Sequence, residues 1–505
     1  MKDNKTIKAV SLLSSQELKW FREFVHSPYF NKHENLRKLI DIIFDASPQF
    51  AADDLQKETV FKKIFPKEKF NPQKLSDLLT YLYRLYDKFL AQLEFESDEM
   101  QGKISLLRSY RLRKQDRQFL NLMKLIRENG MLNGQTENRF LKEYQLETES
   151  DLFFTSKDSR TTDKSIERKT LSLDLFYLTA KLRSCCDMLN RQNIISQKYE
   201  IRMLDEVKSF VAGNFQLLEN YPAIPIYYQI LLTLQESERE EHYHKLVELL
   251  ERHSKFLPRS LSKGERSTNS SPSPQIEKSE LRTMYDYAQN YCIKKINSGN
   301  TNYLKEIFRL YKTLLAQQLM LDESGSLSQW DYKNIVTVGT RLKEYAWCEK
   351  FLHDYKEKLP PPDRENAFMF NLATLYYSQK NYHRALKLLQ TVEFTDVYYS
   401  LGARSLLLKV YFEANEFEPL YSLFDSFKIY LKRNKLVSEY QYRVHFNLIK
   451  MTKRLANIRA MVGISRQETI ARELEKLKKK IEATPEITNL HWLMERVGEM
   501  EKLAR

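Results

Sequence analysis

Apolar residues recur along this chain at three- and four-residue intervals, the pattern of helices that bury one face. Ser14 stands three residues ahead of Glu17 as in a capping box, and Leu18, Phe21, Phe24 and Val25 then form a stripe that stops at Ser27-Pro28. Leu36, Leu39, Ile40, Ile43 and Phe44 repeat the pattern. Leu75, Leu78, Leu79, Leu82, Leu85, Tyr86 and Phe89 give a longer version, and Phe61, Ile64 and Phe65 sit between Pro66 and the second stripe. Three or four helices are therefore expected to build an N-terminal cap over residues 1–100.

Residues 101–199 read as a helical linker region. Leu106, Leu107, Tyr110, Phe119, Leu122, Leu125 and Ile126 predict one helix or a pair, with Arg108, Arg111, Arg113, Lys114 and Arg117 crowded into its front half. Gly130 and Gly134 mark a break, after which helices are predicted over 137–154 and 164–189. Further helices are predicted over 203–218, 226–235 and 242–253. Residues 260–279, containing GERSTNSSPSPQ, show no apolar period and read as an exposed loop inserted between helical units.

The sharpest organisation runs from Gln329 to Leu431. Glu365–Tyr377 and Asn381–Leu389 form two short amphipathic stretches. Ala373 and Ala385 are small enough to let two antiparallel helices approach, and Leu372, Tyr376, Tyr382 and Leu389 are large enough to fill the space around them. A second copy begins 35 residues later with Leu407, Leu408, Tyr411, Phe417, Leu420, Phe424 and Phe427. A poorer copy precedes the first by 37 residues, with Val336, Gly339, Tyr345, Cys348, Leu352 and Tyr355, and ends at Pro360-Pro361-Pro362.

This pattern resembles the tetratricopeptide repeat, whose usual period is about 34 residues. The resemblance implies an all-α fold, a right-handed α-α solenoid of helical hairpins in which each hairpin shelters the apolar face of the next. Tyr285–Ile296 with Tyr303–Leu315, and Tyr227–Leu234 with Tyr243–Leu250, are looser copies. Counting them, the array covers residues 200–431. A basic helical C-terminal cap over 432–505 is expected to cover its end through Tyr442, Val444, Phe446, Leu448, Ile449, Met451 and Leu455, completed by Leu490, Leu493, Val497 and Met500. The whole chain, with SPYFN at 27–31 and Trp492-Leu493 near its end, also resembles a class of uncharacterised helical proteins of the Bacteroidota, a likeness that carries no chemistry.

Composition agrees with helices joined by short turns: 505 residues include only 11 Gly and 14 Pro, against 30 Tyr and 28 Phe. The formal charge is +14, and Lys428–Glu482 carries 15 basic and 5 acidic residues. Within that stretch Ile470, Leu474, Leu477 and Ile481 form a stripe that is expected to pack on the array while Lys476, Lys478, Lys479 and Lys480 stay wet. Cys185, Cys186, Cys292 and Cys348 lack the spacing of a zinc knuckle or a redox turn and read as reduced, packed thiols. No apolar run approaches the roughly 20 residues that span a bilayer, so no transmembrane segment is expected and a cytoplasmic location is the default.

No nucleotide, metal or acyl-transfer motif occurs, and neither catalysis, a cofactor nor a small-molecule substrate is expected. Glu238, Glu241, His242, His244 and His253 are close in sequence, but His242 and His244 point to different sides of a helix and read as solvated. The favoured function is a protein or peptide scaffold, with first-helix side chains Lys333, Asn334, Arg341, Asn366, Phe370, Asn371, Tyr377 and Arg404 as partner-binding candidates. The alternative is a nucleic-acid-associated factor in which Lys432, Arg433, Lys435, Arg443, Lys450, Lys453, Arg454 and Arg459 meet phosphates. Some tetratricopeptide domains clamp a C-terminal carboxylate with Lys, Arg and Asn side chains. Lys333 and Asn371 match two places of that clamp, whereas Thr337 stands for an Asn and Gly402 and Leu406 stand where cations belong.

Overall fold

The computed structural model describes residues 1, 3–51, 53–128, 136–157, 164–194, 199–254, 276–322, 324–390 and 397–503, and among them all extended regular structure is helical. Residues 260–275 of the predicted loop lie outside the described residues, and its last two residues, Lys278 and Ser279, already belong to the helix that starts at Lys278. The chain divides into two compact units, Met1–Leu178 and Thr179–Arg505.

In the first unit, α1 (Lys5–Val10), α2 (Ser15–His26), α3 (Glu34–Asp45), α4 (Lys57–Ile64) and α5 (Pro72–Ser97) enclose a core containing Phe21, Leu39, Ile40 and Leu82. The capping box forms as the sequence implies: Ser14 Oγ accepts from Glu17 N at 3.2 Å, and Ser14 N donates to Glu17 Oε2 at 2.8 Å. The SPYFN turn is held by Asn31, which is buried and donates through Nδ2 to Val25 O at 2.8 Å. The expected pair of basic helices is α6 (Glu99–Leu112) and α7 (Asp116–Glu128), packed with α8 (Glu137–Thr155) around Leu107, Phe119 and Phe153. Part of their positive charge is spent on α8: Arg111 meets Glu149 at 2.8 Å and Arg127 meets Glu147 at 3.1 Å. The helix α9 (Ser165–Ile194) runs through the division between the units.

The second unit continues with α10 (Leu204–Gly213) and α11 (Phe215–Leu218). One predicted helix is thus two, because the backbone departs from helical geometry at Asn214, whose side-chain amide donates to Phe210 O at 2.8 Å. Such local side-chain bonds compete with helix continuation. Five helix pairs follow: α12 (Ala223–Gln235) with α13 (Glu240–Ser254), α14 (Lys278–Asn297) with α15 (Tyr303–Ala316), and α16 (Gln329–Arg341) with α17 (Tyr345–Asp354). Then come α18 (Arg364–Ser378) with α19 (Tyr382–Leu389) and α20 (Val397–Ala414) with α21 (Phe417–Arg433). Each second helix also packs on the next first helix, and α16, α18, α20 and α22 (Glu439–Ala460) touch in succession. Ala373 and Ala385 are completely buried where α18 meets α19.

The turns inside the last three pairs share one device that the sequence does not advertise. Lys343, Lys380 and Asn415 adopt positive φ of 62°, 61° and 60°. The following amide in each case reaches back to a helix carbonyl: Glu344 N to Gly339 O, Asn381 N to Tyr376 O and Glu416 N to Tyr411 O, at 2.8–2.9 Å. This left-handed stop satisfies carbonyls that a helix end otherwise leaves unpaired. The three residues recur at 37 and 35 positions, the spacings of the sequence copies.

Beyond α21, α22 packs with α23 (Gln467–Glu482) and α24 (Leu490–Leu503) around Leu448, Leu455, Leu474, Leu477 and Leu493. The stripe Ile470, Leu474, Leu477 and Ile481 is buried, while Lys476 and Lys479 lie at the surface beside Glu473 and Glu475. All four cysteines are free and buried. Among the described residues no helix is long and apolar enough to cross a membrane.

Candidate functional site

The successive contact of α16, α18, α20 and α22 leaves a cavity of about 330 Å³ on the face those helices share. α20 contributes Leu401, Gly402, Ser405, Leu406 and Lys409, which fall on one side of a helix by their three- and four-residue spacing. α18 supplies Phe370 and Thr374, and α22 supplies Gln441 and His445, each pair one turn apart. Lys333 enters from α16, and Thr488 and Asn489 close the end from the turn before α24. Gly402 lies against Phe370: a Cβ there would sit 3.4 Å from Phe370 Cζ, the limit of ordinary contact.

Two lysines and no Asp or Glu are among the described residues lining this space. Lys409 Nζ donates to Asn489 Oδ1 at 3.3 Å and lies 4.8 Å from the centre of the Tyr377 ring, a cation–π arrangement. Burial lowers its ammonium to about 8, an effect that nearby Glu413 only partly opposes. Glu413 itself is committed elsewhere, accepting from Trp492 Nε1 at 2.7 Å and from Arg496 Nη1 at 3.2 Å. Burial also lowers His445 to about 4, so its ring is neutral at pH 7. His445 Nδ1 is 3.1 Å from Ser405 Oγ. A serine paired with a histidine invites comparison with a hydrolytic dyad, but no carboxylate is among the described residues that line the cavity with it.

The partner-binding candidates distribute unevenly around this geometry. Lys333 and Phe370 line the cavity, and Tyr377 lies beneath Lys409. Asn334 and Arg341 are exposed on α16, and Asn366 is half-buried on α18. Asn371, one of the two clamp-like positions, is buried and donates through Nδ2 to Ala367 O at 2.8 Å in its own helix. Arg404 stacks over Tyr430 of α21 at 4.4 Å from the ring centre. Lys409, Ser405, Gln441, His445, Thr488 and Asn489 were not anticipated. Lys409 did carry a signal, a single cation closing the apolar run Leu406-Leu407-Leu408 on a helix.

The cations named for nucleic acid are partly occupied. Arg443 pairs with Glu486 at 2.6 Å and Glu439 at 3.0 Å, and Arg454 lies 3.6 Å from Glu473. Arg459 donates to Phe412 O at 3.2 Å, and Lys453 lies over the Tyr421 ring. Lys432, Arg433, Lys435 and Lys450 are exposed. In the acidic and histidine-rich segment, Gln229 Nε2 donates to His242 O at 2.9 Å, and Glu238 pairs with Lys295 at 3.0 Å. Among the described residues no group of three or more His, Cys, Asp or Glu is placed to hold a metal ion.

A second cavity, of about 390 Å³, lies where α9, α12 and α14 meet and is lined by Asn190, Thr233, Ser237, Asn290, Tyr291 and Lys294. Its lining mixes polar groups with Leu234 and Ile293 and holds a single cation, and Tyr291 Oη and Lys294 Nζ both reach Ser237, at 2.8 and 3.5 Å. No protein-family model, curated protein or solved structure matches the chain.

Proposed function

We propose that residues 200–431 form a right-handed solenoid of tetratricopeptide-like hairpins, capped at both ends, and that the protein is a non-catalytic scaffold that binds a protein or peptide in the cytoplasm. The observation that carries this reading is the run of touching first helices with a donor-rich cavity on their common face. Repeat arrays present such faces because each hairpin must bury its sides against its neighbours and leaves its first-helix edge open. The nucleic-acid alternative draws less support, since Arg443, Arg454 and Arg459 already have partners within the fold.

Photo-cross-linking from Asn334, with and without nuclease, tests the reading. A specific protein captured in both conditions supports it. Salt-sensitive nucleic-acid capture without any specific protein reverses it in favour of the alternative.

A further inference from the structure

We infer that the cavity between α18, α20, α22 and the Thr488-Asn489 turn receives a carboxylate of an acidic peptide, with Lys409 as the cation that meets it. This deepens the scaffold reading and rests on it.

The argument starts from an imbalance of charge. An ammonium has three donors and no acceptor, and Lys409 places one of them on a neutral amide, Asn489 Oδ1, with the Tyr377 ring beside it. No carboxylate lies within ion-pairing distance of Lys409 among the described residues, and Glu413, the nearby acid on the same helix, is taken by Trp492 and Arg496. A half-buried cation with no direct ion pair, whose nearest acid only partly offsets its burial, costs free energy that an incoming anion offsets. No acid that would repel a carboxylate is among the described residues lining the cavity.

The neutral groups are also set to donate. Gln441 Oε1 accepts from Ser438 N at 3.0 Å in the capping box of α22, which leaves the amide nitrogen as the end that donates. Asn489 Oδ1 is likewise turned to Lys409, so its other end is the NH₂. Beside these donors Phe370, Leu401 and Leu406 form an apolar wall. A carboxylate flanked by an aliphatic side chain satisfies both halves; a free inorganic anion leaves the apolar half empty. The site differs from the carboxylate clamp of the repeats this chain resembles. Gly402 and Leu406, where the clamp would place cations, line the cavity without charge, and the cation comes from Lys409 with the C-terminal turn closing the space.

The test uses the full chain at pH 7 and fluorescence anisotropy with four labelled octapeptides. These are alternating Leu-Glu and alternating Leu-Gln, each with a free or an amidated C-terminus. Binding of both Leu-Glu forms assigns the cavity to a side-chain carboxylate. Binding of only the free-acid forms assigns it to a C-terminal carboxylate. Either way Lys409→Gln is expected to weaken binding about tenfold, the worth of one charge-assisted contact. Lys409→Arg, which keeps the charge, is expected to retain binding and guards against a folding defect in the Gln variant. Lys435→Gln, on an exposed turn, should leave affinity unchanged.

Equal affinity of the Lys409→Gln and wild-type chains overturns the inference, as does failure of every carboxylate peptide to exceed the amidated Leu-Gln control. Neither result touches the scaffold reading, which stands or falls on the cross-linking from Asn334.

Discussion

Gly339 of α16 lies hard against Cys348 of α17 and Phe308 of α15, and a methyl group there gives a quantitative test of that packing. A Cβ at this position would lie 2.3 Å from Cys348 Sγ and 3.2 Å from Phe308 Cε2. Non-bonded heavy atoms settle at roughly 3.5–4.0 Å, so the methyl overlaps the sulfur by more than about 1 Å. Cys348 is buried, and its short side chain has a single torsion with which to retreat; Phe308 is held edge-on by Trp347 at 4.8 Å between ring centres. The helices must therefore part. Overpacking of this kind costs about 1–3 kcal/mol, and replacing a helical glycine with alanine returns about 1 kcal/mol. Gly339→Ala is expected to lose a net ~0–2 kcal/mol.

The sulfur is the named obstacle, so Cys348→Ala should relieve the clash. Gly339→Ala in the Cys348→Ala background should cost nothing or stabilise, giving a coupling of about 1–2 kcal/mol between adjoining residues. Urea unfolding of the full chain, followed by tryptophan fluorescence, reads the effect, because Trp330 and Trp347 lie on α16 and α17 themselves. Strict additivity in the double variant refutes the reasoning.

Glu413→Ala removes the acceptor shared by Trp492 Nε1 and Arg496 and should loosen α24 from α20. The loss is expected at about 1–3 kcal/mol, limited because Glu495 and Glu499 also hold Arg496; faster amide exchange confined to α24 would mark it. Lys380→Gly relieves a side chain held at φ 61° and should raise the free energy of unfolding in urea by about 0.5 kcal/mol, after the greater freedom of glycine in the unfolded chain is subtracted; a drop would show that the turn is not strained. His445 is held near 4 against an ordinary value of 6.5, so between those pH values the unfolded chain binds more protons than the folded one. The stability that a neutral His445 contributes should therefore be lost as pH drops from 6.5 to 4, and melting temperatures of His445→Gln across that window should show a shallower decline; an unchanged slope would remove His445 from the account.

Short-range pattern carried a large part of the fold. The stripe from Leu18 to Val25, the capping box at Ser14, the small pair Ala373 and Ala385, and the wet lysines of α23 all follow from which residues share a face of one helix, and that is decided within a few positions of the chain. The stops at Lys343 and Lys380 carry no local signal because lysine is an ordinary helix residue, and only the docking of the next helix makes a left-handed backbone worthwhile there. Asn371 looked like a ligand-facing side chain and Arg443 like a phosphate contact; packing turned the first onto its own helix and gave the second two carboxylates. The cavity is the clearest division of labour. Helical period alone puts Ser405 and Lys409 on one face of α20, but Lys333, His445 and Asn489 reach that face from segments more than a hundred and fifty positions apart at the extremes, through contacts between helices that no local period encodes.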